Sequence, residues 1–233
     1  MPQPRVLKPV AFLLCLVPLG VLAWRAWGVV AGSRPEALGA NPIREAEIYT
    51  GLWTLRFLAI TLAVTPVRRL LRLGVLAKYR RMLGLFTFAY ACAHVSLWVG
   101  VDWYFDWAAM GKEIAKHKYI LVGMTTFVLL LPLALTSTKG WVRRLGGARW
   151  ARLHQLVYVC AITGTVHYLW AVKKDTLFPL VYLLTFAALL GIRAWERFIG
   201  PVRLRPARAR PAPRRRELPL AGAASGVELP RPE

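Results

Sequence analysis

The chain alternates between long apolar stretches and short connections that carry most of its charge. Apolar runs of about 20 residues match the ~30 Å hydrocarbon core of a bilayer, at ~1.5 Å per helical residue. Because the connections are short, neighbouring helices should pack antiparallel in one bundle. The pattern predicts an all-α membrane protein, a six-helix transmembrane bundle with spans at residues 9–31, 49–66, 82–100, 119–136, 151–171 and 177–195.

The two ends of the chain differ in character. The first apolar run follows Arg5 and Lys8, as the apolar region of a signal peptide does, but it is too long and has no convincing small-residue cleavage site before Arg25. We therefore expect a retained helix, and a transmembrane domain over residues 1–200. Residues 201–233 are rich in Arg, Pro and Ala, which predicts a disordered basic cytoplasmic tail able to touch anionic membrane lipid.

Positive charge divides unequally between alternate connections. Residues 1–8, 66–81, 137–152 and 193–233 carry twenty-three Lys and Arg, whereas the other connections carry seven. The positive-inside rule places the richer set, and with it both termini, in the cytoplasm. The same pattern explains the net charge of +21 without a nucleic-acid partner, which we do not expect. No glycine-rich nucleotide loop follows a strand, so we expect no nicotinamide or FAD domain.

Three histidines, His94, His154 and His167, lie within predicted spans, where an ionisable ring is costly and usually has a partner or a function. Neutral imidazole is a standard axial ligand of haem iron. By helical rise, His94 lies ~20 Å beyond the cytoplasmic entry of its helix and His167 lies ~22 Å beyond the entry of its own. The two rings should thus share one depth in the outer part of the bilayer. We predict them as the axial pair of a haem.

His154 differs from the other two histidines. It is thirteen residues before His167, or ~20 Å along one helix, so the two cannot ligate the same iron. A second haem near His154 would need a partner histidine near position 80, where the chain has Arg80 and Arg81. One haem is therefore favoured. His154 stays open as an alternative ligand, a neighbour of a flavin or quinone, or an interfacial hydrogen-bonding residue.

Arg56 lies within the second predicted span, ~10 Å below the outer face. An arginine at that depth needs a counter-charge or must extend to the interface. Haem propionates are carboxylates, which arginine binds bidentately. The two interpretations for Arg56 are a propionate partner in the cofactor site and a side chain that reaches the outer interface.

Three stretches make the chain similar to a known family. They are KYRRMLGLFTFAYACAHVSLW, WARLHQLVYVCAITGTVHYLW and LWTLRFLAITLAVTPVRRL. Over residues 8–195 the chain resembles the MsrQ (YedZ) family, the haem-binding membrane subunits of a bacterial periplasmic methionine sulfoxide reductase system. More distantly it resembles the transmembrane domain of ferric reductases and NADPH oxidases. Those carry two bis-histidine haems and a fused flavin domain, whereas this chain lacks the inner histidine and any dehydrogenase domain.

The resemblance implies a function. Members bind heme b, and FMN is attributed to the family. They pass electrons from the quinone pool or a cytoplasmic flavin reductase to a periplasmic molybdopterin reductase (MsrP-like), which repairs oxidised proteins. His94, His154 and His167 match the family's motif histidines, and the location is the bacterial inner membrane. Alternatives are another quinol-linked cytochrome b or ferric reductase subunit, and, from a different class, a transporter whose histidines relay protons.

Overall fold

The computed structural model describes residues 4–198, and within that range the chain forms nine α-helices and no strand. They are α1 (Pro4–Val30), α2 (Pro42–Leu70), α3 (Arg80–Leu97), α4 (Trp107–Lys116), α5 (Lys118–Leu135), α6 (Lys139–Leu145), α7 (Gly147–Leu153), α8 (Leu156–Ala171) and α9 (Leu177–Phe198). A π-helical turn, Trp98–Asp102, continues α3. The predicted tail at 201–233 lies outside the described residues.

Five of the described helices are long and apolar enough to cross a membrane: α1, α2, α3 with its π-helical turn, α5 and α9. In such a helix every backbone N–H and C=O is bonded within the segment, which the hydrocarbon interior requires. The all-helical membrane architecture is therefore confirmed. The predicted count of six spans is not, because α8 has only 16 residues. The cytoplasmic placement of both termini stays a prediction.

The predicted helix at 151–171 is divided in the structure. Helix α7 ends at Leu153 and α8 begins at Leu156, so His154 lies in the junction between them. The chain tightens there: the Gln155 N–H donates to the Arg152 carbonyl, and the Tyr158 N–H donates to the Gln155 carbonyl. These bonds span three residues instead of four, which is the narrower 3₁₀ pattern common at helix ends. The expectation of one continuous helix was wrong at this point.

The core is built from two pairs of helices. Helix α2 packs most extensively on α3, and α5 packs most extensively on α8. The pairs meet in two apolar clusters of buried side chains. One contains Leu58 and Leu62 of α2, Ala161 of α8 and Phe186 of α9. The other joins α3, α5 and α8 through Cys160 and its neighbours. Small residues at these contacts let the helices approach closely, as is usual between membrane helices.

Helix α1 is attached to this core through Tyr90 of α3. The Tyr90 side chain is fully buried. Its hydroxyl accepts from the Leu19 N–H at 3.1 Å and donates to the Cys15 carbonyl at 2.9 Å. These two backbone groups lie either side of Pro18, which has no N–H and disturbs the ladder of α1. The Tyr90 hydroxyl therefore satisfies helix groups next to a proline and ties α1 to α3.

Helix α9 is attached to both pairs through Arg193. Its guanidinium donates to the Tyr158 hydroxyl of α8 and to the Leu62 carbonyl of α2, both at 2.7 Å. A neighbouring ion pair joins Arg69 of α2 to Glu196 of α9. One arginine thus connects three helices with charge-assisted hydrogen bonds, which are stronger than neutral ones.

The connection between α3 and α5 contains a helix that the hydropathy pattern did not predict. Helix α4 begins after Asp106, whose carboxylate accepts from the Ala109 N–H. Before it, Tyr104 and Phe105 adopt positive φ angles and are exposed. A helix of this length is too short to span a bilayer and carries polar residues, so a search for spans passes over it.

Candidate functional site

His94 is held by the backbone of the helix that faces it. The Nδ1 atom of His94, on α3, lies 2.9 Å from the carbonyl oxygen of Glu47 on α2. A carbonyl only accepts, so Nδ1 carries the proton and donates. The other ring nitrogen, Nε2, is then unprotonated, and a lone pair there is what a metal ion binds. The ring is partly buried between the two helices.

His167 has the same environment on the second helix pair. Its Nδ1 on α8 lies 2.7 Å from the carbonyl oxygen of Tyr119 on α5. The same argument assigns the proton to Nδ1 and leaves Nε2 free. Hydrogen bonding of the distal nitrogen to a backbone carbonyl is the usual arrangement of a metal-ligating histidine, because it fixes both tautomer and ring orientation. Each helix pair therefore supplies one oriented imidazole.

The structure brings these two rings together, as their matched depths predicted. The ring centroids of His94 and His167 are 6.2 Å apart, and the planes meet at 74°. Two imidazoles that share one metal ion, with metal–nitrogen bonds of about 2 Å, have centroids roughly 6 Å apart. Their spacing, tautomers and free nitrogens fit a bis-histidine metal centre between the helix pairs.

Arg56 lies nine residues after Glu47 on α2, about two and a half turns from the carbonyl that holds His94. Its guanidinium sits over the Trp53 ring, 4.7 Å from the centroid. Within residues 4–198 no carboxylate pairs with Arg56. The indole N–H of Trp53 is buried and has no acceptor there either. A cation and a buried donor, both without an anionic partner in the described chain, fit a carboxylate-bearing group such as a haem edge.

His154 lies apart from the pair. Its ring stacks on Trp150, with centroids 3.9 Å apart, and its Nδ1 donates to the Trp150 carbonyl at 3.1 Å. Its Nε2 is buried, and the ring also lies beside the backbone of Leu133 on α5. The structure does not bring His154 to the other two histidines.

Two glycines at the site were missed by the sequence reasoning. An added Cβ at Gly123 of α5 falls 2.6 Å from Nδ1 of His167, and one at Gly51 of α2 falls 3.2 Å from Cε1 of His94. Each glycine follows by four residues the carbonyl that holds the facing histidine. The sequence signal is therefore a glycine on a neighbouring helix, which becomes interpretable only when the helix pairing is known.

Comparison with known proteins places the chain in a family. The family model described as "Ferric reductase like transmembrane component" matches residues 50–165. The "Protein-methionine-sulfoxide reductase heme-binding subunit MsrQ" of Xanthomonas oryzae pv. oryzae (strain MAFF 311018) is 44% identical over 192 residues, 82% of this chain and 87% of that protein. The protein of the same name from Caulobacter vibrioides is 44% identical over 194 residues, 83% and 89% of the two chains.

A third protein of that name, from Xanthomonas campestris pv. campestris (strain B100), is 47% identical over 182 residues, 78% of this chain and 83% of its own. No solved structure matches the chain. Identity at this level over most of both sequences leaves little room for another assignment. The chain belongs to the MsrQ family.

Proposed function

We propose that this protein is the haem-binding, electron-transferring membrane subunit of a methionine sulfoxide reductase system. It is a multi-pass protein of the inner membrane, as its candidate spans and its family indicate. The relatives are named for heme binding, and the facing pair of oriented imidazoles supports the same role here. The single observation that carries the proposal is the 6.2 Å separation of the His94 and His167 rings.

In this proposal, His94 and His167 would hold one heme b between them. Each ring presents Nε2, while the Glu47 and Tyr119 carbonyls hold the Nδ1 protons. The haem supplies reversible one-electron chemistry at iron. Two histidine ligands would favour electron transfer at the bound haem over oxygen chemistry. Arg56 binds a propionate and the Trp53 N–H is available beside it, rather than Arg56 reaching the outer interface.

The partners and the electron source come from the family resemblance. We propose that electrons leave on the outer side to a periplasmic, MsrP-like molybdopterin reductase that repairs oxidised proteins. They enter on the cytoplasmic side from the quinone pool or from a flavin reductase. From that side to the histidine pair the distance is ~20 Å by helical rise, which is long for one step. An electron carrier beside His154, either FMN or a quinone, would divide this distance into two shorter steps.

The proposed architecture is a haem-binding transmembrane domain over residues 1–200, with α8 as the sixth span, both termini cytoplasmic and a basic tail over 201–233. Helix α8 packs within the bundle between α5 and α9, which supports a spanning role despite its length. The match to ferric reductase-like proteins favours, as a second candidate, transfer of electrons to ferric iron.

The test is direct. The purified protein should show the reduced-minus-oxidised spectrum of low-spin b-type haem, with about one haem per chain. Added periplasmic reductase with methionine sulfoxide should reoxidise the reduced haem, and a ferric chelate should not compete with it. A folded protein without haem would contradict the proposal. Fast reoxidation by ferric chelate alone would favour the second candidate.

A further inference from the structure

Each histidine of the facing pair sits against a glycine, and the sequence interval between that glycine and the histidine's carbonyl partner is the same in both helix pairs. His94 donates to the carbonyl of Glu47 and lies against Gly51, while His167 donates to the carbonyl of Tyr119 and lies against Gly123. In both cases the glycine is four residues after the carbonyl. The arrangement occurs once on α2 and once on α5.

Helix geometry explains the interval of four. The carbonyl of residue i in an α-helix points toward residue i+4, whose N–H it accepts. Side chains tilt toward the N-terminus, so the side chain at i+4 covers the turn that contains this carbonyl. A side chain at position 51 or 123 would therefore stand between the carbonyl and an approaching ring. Glycine leaves the carbonyl open to a second donor from a neighbouring helix.

The contacts separate this role from ordinary close packing of helices. Glycines between membrane helices commonly let one backbone approach another. Here the three heavy atoms nearest to an added Cβ are all ring atoms: Nδ1, Cε1 and Cγ of His167 at Gly123, and Cε1, Nδ1 and Nε2 of His94 at Gly51. Gly123 is the tighter of the two, since its 2.6 Å contact cannot be accommodated without movement of the ring or the helix.

We infer that Gly51 and Gly123 are positioning residues that seat the two histidine rings, each by exposing the backbone carbonyl that orients its imidazole. The consequence at the haem rests on the proposed function, but the contact between each glycine and its histidine ring is a property of the chain itself. An alanine at Gly123 would force the His167 ring or the helix to move, whereas an alanine at Gly51 would press on the His94 ring by a few tenths of an ångström. Either change would disturb the bond between the ring and the carbonyl that orients it. Since alanine favours helix more than glycine does, the change acts at the ring and not through helix propensity.

The experiment compares four full-length variants purified in detergent. Gly123→Ala and Gly51→Ala test the seats. Gly191→Ala in α9, where an added Cβ meets nothing within 4 Å, and Gly84→Ala in α3, where it lies 3.7 Å from the Thr61 methyl, are matched controls. The readouts are haem content, the low-spin electron paramagnetic resonance signal, the midpoint potential, and nitrogen NMR of labelled histidines in protein freed of haem.

We expect Gly123→Ala to bind haem about tenfold more weakly, because the loss of a contact that orients a ligand usually has an effect of that size. The haem that remains should give a high-spin signal, since its His167 ligand is displaced. Gly51→Ala should keep its haem but shift the low-spin signal and the potential. Both should change the Nδ1 resonance of the facing histidine without haem. Both controls should match the original protein.

Seat variants that match the controls in all four readouts would overturn the inference. Should Gly123→Ala not fold, Gly51→Ala decides alone. The NMR measurement separates the two claims. If the wild-type protein is purified without haem, but Gly51→Ala and Gly123→Ala still change the histidine resonances, the proposed function is contradicted and the inference about the glycines stands. If the wild-type protein binds haem normally, but the histidine resonances are the same in the two glycine variants, the proposed function stands and the inference about the glycines is contradicted.

Discussion

The facing histidine pair and the isolated His154 use the same bond in different ways. In each case Nδ1 donates to a backbone carbonyl. For His94 and His167 that carbonyl belongs to another helix, so the ring orientation depends on how two helices pack. For His154 the carbonyl is that of Trp150, four residues earlier in the same segment. The orientation of the His154 ring is therefore set within its own segment. The ring stacks on the Trp150 indole instead of facing a second imidazole.

The difference separates a site made by tertiary structure from one made by local structure. The facing pair needs α2, α3, α5 and α8 in register before either Nε2 has a partner. His154 needs the junction between α7 and α8, with the Trp150 indole bonded to the Thr136 carbonyl at the end of α5. Perturbations of helix packing should therefore affect the pair first, and perturbations of the junction should leave the pair unchanged.

The largest expected effect is removal of the ligands. His94→Ala and His167→Ala should each abolish low-spin haem, because neither leaves a second imidazole within reach. His154→Ala should retain the low-spin spectrum of the purified protein. His117→Ala is the matched control, since His117 lies between α4 and α5 and pairs with Glu113. Equal loss of haem in the His94, His154 and His167 variants would break the comparison.

A smaller effect is expected at Arg56. Arg56→Ala removes the proposed propionate partner, and haem retention should weaken about tenfold, as the loss of one charge-assisted hydrogen bond of roughly 1.5 kcal/mol gives. The midpoint potential should shift as well. Arg25→Ala is the control, because Arg25 lies on the exposed side of α1. Spectra and potential like those of the control would show that Arg56 extends to the interface instead.

Tyr90→Phe tests helix attachment apart from ring orientation. The change removes a buried hydroxyl bonded to the Leu19 N–H and the Cys15 carbonyl. We expect a loss of about 1–2 kcal/mol in the free energy of unfolding, measured by denaturation in detergent, with the low-spin spectrum unchanged. Tyr182→Phe, on the partly buried ring beside Tyr168, serves as the control. A spectral change in Tyr90→Phe would mean that α1 also positions His94.

The smallest effect is expected at the junction. Trp150→Phe keeps an aromatic face for His154 but loses the indole N–H that donates to the Thr136 carbonyl at 2.9 Å. We expect a loss of about 1 kcal/mol in unfolding free energy and no change in haem content or potential. A shifted haem potential in this variant would show that the junction and the facing pair are coupled.

Much of the site could be predicted from the chain alone. Counting residues from the charged entries of their helices was enough to predict that His94 and His167 lie together and His154 apart, because helical rise is nearly constant. The break at His154 was not predictable in this way, since the apolar run continues through it. Helix α4 was not predicted for a related reason, because hydropathy over a span-length window does not detect short amphipathic helices.

The sequence by itself determined the long apolar helices and the spacing of residues along them: apolar runs of bilayer length, charges at their ends and ionisable side chains at set distances along each axis. These follow from backbone geometry and from the cost of charge in hydrocarbon, which act on each segment separately. Only the tertiary structure decided which helices face each other. The Glu47 and Tyr119 carbonyls, Gly51 and Gly123 became part of the site through that pairing, because contact between side chains of different helices depends on rotation and register that no single segment encodes.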